Sequence, residues 1–217
     1  MKLVIGGHYE FDSVGDVIGR GGMGTVYRGK DTQTHTPVAI KQLRPDLANT
    51  DAHFSTRFAR EASILQGILK RLNHPNIIQL LDVVNDIEEG QFLVMDYIGG
   101  GSLWDELQST PQMPIPRAIR IAHQIASALM AIHEQGVIHR DIKPSNILMT
   151  DDKSPRLCDF GTAHSVQYTR ITETGGMVGT LDYLSPEGLN GDITTPSADI
   201  WAFGVMLYEM VAGVRPF

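Results

Sequence analysis

A run of three glycines, Gly99-Gly100-Gly101, divides the chain into stretches with different hydrophobic periods, and that division fixes the fold class before any motif is considered. Upstream the pattern reads as strands with a single helix. Residues 9–19 alternate loosely and a glycine cluster follows. Strand-like segments then occupy 25–29 and 37–43, separated by a turn at 31–36, and two more occupy 77–84 and 91–97 around a polar turn at 85–90. Between them, Phe54, Phe58, Ala62, Leu65 and Leu69 fall on one helical face, which predicts a helix over 53–72 that stops before His74-Pro75.

Downstream of the glycines the period is helical. Residues 116–135 place Ile119, Ala122, Ile125, Ala126, Leu129 and Ile132 on one face, with Gly136 as the C-terminal cap. Residues 199–211 are apolar nearly all round, which predicts a buried helix. Strands plus one helix followed by helices is an α+β, two-lobed arrangement, with a small lobe over 9–98 and a larger one over 99–217.

The 217 residues suffice for two lobes with sizeable cores. A net charge of −7 argues against non-specific nucleic-acid binding, which needs a basic face. Cys158 is the single cysteine, so no intrachain disulfide forms. The apolar run at 3–5 is too short for a signal-peptide core, and no stretch approaches the ~20 apolar residues of a membrane span. The expected location is the cytoplasm, with a membrane tether beyond Phe217 left open.

Several short motifs carry chemistry. In Gly19-Arg20-Gly21-Gly22-Met23-Gly24-Thr25-Val26 the glycines let backbone N–H groups approach phosphates closely. Such a cluster alone is equally a flexible turn. In a dinucleotide-binding fold the glycines lead into a helix; here they lead into Thr25-Val26-Tyr27-Arg28, which reads as a strand. Lys41 ends the strand-like Val38-Ala39-Ile40 and offers a point charge for phosphates, although a lone lysine there is ordinarily a solvated edge charge. Glu61 sits on the predicted helix; facing inward it would pair with Lys41, facing outward it would be solvated.

The most specific signal is His139-Arg140-Asp141-Ile142-Lys143-Pro144-Ser145-Asn146. Asp141 can accept the proton of an attacking hydroxyl, Lys143 can neutralise charge on a transferring phosphoryl group, and Asn146 offers an oxygen to Mg²⁺. Asp159-Phe160-Gly161 follows thirteen residues after Asn146 and supplies a second oxygen ligand in Asp159. Further on come Gly179-Thr180 and Ser185-Pro186-Glu187, followed by an aromatic segment whose Trp201 and Phe203 read as core packing.

Taken in this order, the motifs resemble the eukaryotic-like protein kinase family over 9–217. The resemblance implies a five-stranded small lobe with one helix and a helical large lobe, with ATP and Mg²⁺ (or Mn²⁺) bound between them. The nucleotide would lie under Ile18, Gly19, Arg20, Gly21, Gly22, Met23, Gly24 and Thr25. Val26, Ala39 and Leu148 would sandwich the adenine, with Met95 as gatekeeper and the backbones of Asp96 and Ile98 at the adenine edge. Lys41 would hold the α- and β-phosphates and pair with Glu61. Asp141 would be the catalytic base, Lys143 would contact the γ-phosphate, and Asn146 and Asp159 would hold the metal.

Lys143 and Thr180 resemble the serine/threonine class, and the overall shape is similar to receptor-type bacterial serine/threonine kinases. The implied partners are protein substrates and a second copy for phosphorylation of one chain by another. By position, Thr172 and Thr174 are the implied phosphosites, read by Arg140 and by Arg57 or Arg60; the plainer alternative is polar loop residues. Two departures from the family pattern stand out. An extra segment near Gln66-Gly67-Ile68-Leu69 lengthens the helix and puts a weak point at Gly67. The chain also ends at Phe217, so an incomplete large lobe is expected, without the arginine that would pair with Glu187. The competing readings are a catalytically inactive kinase-like scaffold, a non-functional fragment, or a small-molecule kinase.

Overall fold

Alternating apolar residues and glycine-bearing turns give the first part of the chain a seven-stranded antiparallel sheet. The computed structural model describes residues 1–22, 24–44, 54–86, 89–160, 181–191 and 195–217, with backbone only for 54–57. The strands are β1 (Lys2–Ile5), β2 (Tyr9–Asp12), β3 (Val17–Gly21), β4 (Gly24–Asp31), β5 (Pro37–Leu43), β6 (Leu80–Asp86) and β7 (Gly90–Asp96). Their order is β1-β2-β4-β5-β7-β6, with β3 also paired to β4.

Two of the seven were not expected from the sequence. The polar turn after β2, where Asp12 Oδ1 accepts the amides of Val14 and Gly15, breaks the segment 9–19 into β2 and β3. Ahead of it, Gly6 and Gly7 take φ of +56° and +77° and fold β1 back on β2 as a hairpin. A Cβ at Gly6 would stand 3.1 Å from Val84 Cγ2, so this turn packs on β6 at the far end of the sheet order. Tyr9 lies beside Asp82 of β6; burial first, and then that carboxylate, push the Tyr9 hydroxyl up to about 12.

The two sheet faces differ because successive side chains alternate. One face holds the core: Ile5, Tyr9, Phe11, Tyr27, Val38, Ile40, Val84, Phe92 and Val94. The other face carries Val26, paired with Lys41, and Ala39, paired with Met95. The helix α1 (Phe54–Leu72) packs on β6 and buries Phe58, Ala62, Leu65 and Leu69, and it runs through Gly67 without a break. These elements form one compact unit, Met1–Asn73 with Ile78–Tyr97.

The second unit comprises His74–Ile77 and Ile98–Phe217. Its elements are α2 (Leu103–Ser109), α3 (Ile115–Glu134), a 3₁₀ turn (Pro144–Asn146), β8 (Ile147–Met149), β9 (Pro155–Leu157), a second 3₁₀ turn (Leu181–Tyr183), α4 (Pro186–Leu189) and α5 (Pro196–Ala212). Ser102 and Asp105 cap α2 reciprocally. Gly136, at φ +71°, follows the end of α3.

The buried stripe of α3 is Ala118, Ile121, Ile125, Ala128, Leu129 and Ile132, and Ile119 is exposed. The expected face is thus turned by roughly 60°, since each residue advances about 100°. Ile125, Leu129 and Ile132 belong to both stripes, and α5 packs against α3. On α5 itself Ala202, Val205, Met206 and Met210 are buried, while Ile200 and Tyr208 are exposed. The helix is therefore covered on one side only among the described residues. No helix among them is long and apolar enough to cross a membrane.

Candidate active site

Each unit carries one set of the residues singled out from the sequence. In the first unit the glycine segment is the tip of the β3–β4 hairpin. Gly19 pairs with Val26, Arg20 with Thr25 and Gly21 with Gly24, and a bulge falls at Ile18. Met23 lies outside the described residues. The glycines lead into a strand, which removes the dinucleotide-binding alternative. Gly24 is fixed by close approach, because a Cβ there would stand 2.0 Å from the Gln42 carbonyl oxygen.

Val26, Ala39, Lys41 and Met95 share the sheet face opposite the apolar core. Ala39, Lys41 and Met95 are buried. Asp96 closes β7, where its amide donates to Gln79 O and its carboxylate accepts the Gln79 amide. Glu61 is not brought to Lys41. It is exposed, and among the described residues it makes no ion pair. The reason is register: Glu61 lies roughly 70° from the centre of the stripe that α1 buries.

In the second unit the loop 139–146 is assembled around buried groups. Asp199, on α5 and 1 % exposed, accepts the amides of His139 at 2.8 Å and Arg140 at 2.7 Å, and also meets His133 Nε2 at 2.7 Å. These bonds hold Arg140 at φ +69°. His139 is fully buried, with its Nε2 on the Cys158 carbonyl at 2.9 Å. A carbonyl only accepts, so Nε2 carries the proton and Nδ1 accepts the Asp141 amide. Burial holds the imidazole below its usual pKa, against the smaller opposing pull of Asp199, Asp141 and Asp159.

Three of the expected chemical groups meet here. Lys143 Nζ lies 2.8 Å from Asp141 Oδ2, and Asn146 Nδ2 donates to Asp141 Oδ2 at 2.8 Å and to its backbone carbonyl at 2.7 Å. That carbonyl fixes the amide orientation, because only the NH₂ can face it. Among the described residues, Asn146 Oδ1 and Asp141 Oδ1 take no part in these bonds.

Asn146 O also accepts the Cys158 amide at 3.0 Å and its thiol at 3.3 Å, which ties the loop to the strand end that leads to Asp159. Asp159 takes φ +62°, and Phe160 packs on the His139 ring with centroids 4.8 Å apart. Leu148 lies on β8, and Ile98 opens the segment that runs beside it. Thr172, Thr174, Gly161 and Thr180 lie outside the described residues.

Sequence reasoning assigned no role to Asp199 and His133. Both had a visible signal, since a carboxylate on an otherwise apolar helix and a histidine beside an apolar stripe each need a partner. The same region contains Tyr183, whose hydroxyl donates to Glu209 at 2.5 Å, and Asp182, which pairs with Arg215. A small cavity of about 30 Å³ is bounded by Asp141, Ile142, Tyr183, Leu184 and Ser185, so the segment at 181–185 lines the approach to Asp141.

The protein kinase domain pattern matches residues 13–217. The chain is 38% identical over 208 residues to serine/threonine-protein kinase PknB of Mycobacterium leprae, covering 94% of this chain and 33% of that protein. It is 38% identical over 201 residues to serine/threonine-protein kinase PrkC of Bacillus subtilis, covering 93% and 30%. The chain thus spans about a third of the length of these curated relatives. Among solved structures, Rad53 1–466 in complex with AMP-PNP superposes with a TM-score of 0.76 at 29% identity, covering 95% of this chain and 49% of that one.

Proposed function

The chain belongs to the protein kinase family, and on that premise we propose that it is the catalytic part of a serine/threonine kinase that transfers the γ-phosphoryl group of ATP to protein hydroxyls. The observation that carries the reading is the Asp141–Lys143–Asn146 cluster on a loop anchored by Asp199. Phosphoryl transfer needs positioning and charge neutralisation more than covalent catalysis, and this cluster provides both.

In the proposed reaction the bond between the γ-phosphorus and its bridging oxygen breaks, and a bond to the substrate hydroxyl forms. ADP leaves, and the hydroxyl proton passes to Asp141. Asp141 Oδ2 is held by Lys143 and Asn146, which directs Oδ1 to the incoming hydroxyl. Lys143 then offers its charge to the transferring group. Lys41, buried at the end of a β-rich run, would hold the α- and β-phosphates, and the amides of the β3–β4 hairpin would cover them.

Val26, Ala39, Met95 and the Asp96 backbone of the first unit, and the Ile98 backbone and Leu148 of the second, are assigned to adenine recognition. The AMP-PNP held by Rad53 supports a nucleotide of this type. The donor set fits Mg²⁺, which takes few protein oxygens and completes its shell with phosphate oxygens and water; Asn146 Oδ1 and the Asp159 carboxylate are such donors. The ion would supply charge neutralisation across the phosphates.

Thr172 and Thr174 are proposed as autophosphorylation sites, with protein substrates and a second copy of the chain as partners. Replacing both threonines by alanine is expected to depress turnover, and unchanged turnover would remove the idea. The main test is transfer of radiolabelled phosphate from ATP to a generic basic protein, followed by phosphoamino-acid analysis. Asp141→Asn should lower labelling roughly 100- to 10,000-fold, with label on serine and threonine in the wild type. Equal labelling by the two forms would end the assignment.

A further inference from the structure

The segment that follows β7 runs alongside β8 as an added strand. The Met149 amide donates to the Gly101 carbonyl at 2.8 Å, and Ser102 bridges Leu148 antiparallel. At this separation there is no room for a side chain at residue 100. A Cβ there would stand 2.2 Å from Met149 O, 2.9 Å from Thr150 O and 3.0 Å from Met149 C. All three are backbone atoms at the end of β8 or just beyond it, and β9 holds that strand by pairing Met149 with Pro155 and Ile147 with Leu157; Met149 is 1 % exposed. They cannot yield as a flexible side-chain tip would.

Backbone conformation is not the reason for a glycine here. Gly101 takes φ +79°, whereas Gly100 lies outside the left-handed range and any residue could adopt its φ. The requirement at Gly100 is close approach alone. Ile98 and Leu148 flank this contact, and the kinase reading assigns them to the edge and the floor of the adenine site.

We propose that Gly100 is a positioning residue for the nucleotide: its missing side chain sets the separation between the hinge backbone at Ile98 and the adenine floor at Leu148. The proposal rests on the kinase reading above. A methyl group at 100 would drive the strap off β8 by roughly 1 Å, and displacements of that size are felt strongly in a positioned site.

Gly100→Ala is expected to raise KM for ATP roughly tenfold, while kcat at saturating ATP and KM for the peptide change by less than about twofold. A fluorescent ATP analogue should show the same loss in direct binding. Ile125→Val, which trims the α3 core, is the control for lost stability alone and should leave KM for ATP unchanged. Ser102→Ala removes the Oγ bonds to Asp105 without adding an atom, so it loosens the same strap even where Gly100→Ala does not fold. It should raise KM for ATP about two- to threefold. A folded Gly100→Ala with wild-type KM for ATP overturns the proposal, as does an unchanged Ser102→Ala when Gly100→Ala is unfolded. Failure of the kinase reading looks different: the wild type itself would then neither bind the analogue nor transfer phosphate, and both ideas would fall.

Discussion

At the scale of single residues, the loop 139–146 is a case of backbone held by a buried charge. Asp199 is sealed from solvent, yet its two oxygens take the amides of His139 and Arg140 and face His133. Asp199→Ala would leave two amides and an imidazole without partners in a dry site, at a cost of about 3–5 kcal/mol. Thermal unfolding should show the loss, with turnover falling alongside it. Asp199→Asn keeps one oxygen acceptor and should lose less of both; equal stability of wild type and alanine variant would refute the anchoring role. The grouping of Asp141, Lys143 and Asn146 was legible in the sequence because the three lie on one short loop. Asp199 was not, because it lies about 60 residues from the amides it serves, and its helix reads as scaffold.

At the scale of elements, periodicity located helices better than it oriented them. The expected α1 stripe is buried at Phe58, Ala62, Leu65 and Leu69, the Phe54 side chain lying outside the described residues, and the expected weak point at Gly67 is a regular helical turn. A Cβ at Gly67 would meet only Arg71 Nη1, at 3.6 Å, an ordinary contact. Gly67→Ala should therefore stabilise the protein by about 0.5–1 kcal/mol, seen as a higher urea midpoint at unchanged m-value. Gly24→Ala should do the opposite, since its Cβ would collide with the Gln42 carbonyl across the ladder. A lower midpoint for Gly67→Ala would mean that the helix is strained there.

The α3 stripe was rotated because apolar residues occur all round that helix, and its neighbours selected which of them to bury. The β1 hairpin was missed although Gly6-Gly7 is a turn signal, because four residues are too few for a period to emerge.

At the scale of the whole molecule, two histidines contribute to the response to mild acid. Burial lowers the pKa of His139, and burial followed by the charge of Arg156 lowers that of His74. In the unfolded chain each titrates near 6.5. Below about pH 6.5 the unfolded state binds protons that the folded state refuses, so stability falls as pH falls and is flat above that value. The slope can reach about 1.4 kcal/mol per pH unit for each histidine. Urea midpoints at pH 7.5 and 5.5 should differ in that direction, ahead of the carboxylates, which are titrated at lower pH. A flat profile across that interval would show that His139 is not kept neutral.

The division into strands then helices, the glycine hairpin and the grouping of Asp141, Lys143 and Asn146 follow from local spacing, since turns, alternation and short loops depend on neighbours along the chain. Three things follow from contacts distant in sequence instead: the face that α3 buries, the solvent-facing flank taken by Glu61, and the carboxylate of Asp199 behind the loop 139–146. Residues far apart in the chain choose among equally apolar faces and supply partners for buried polar groups. No window of local sequence contains those choices, because their energies arise only when the elements pack.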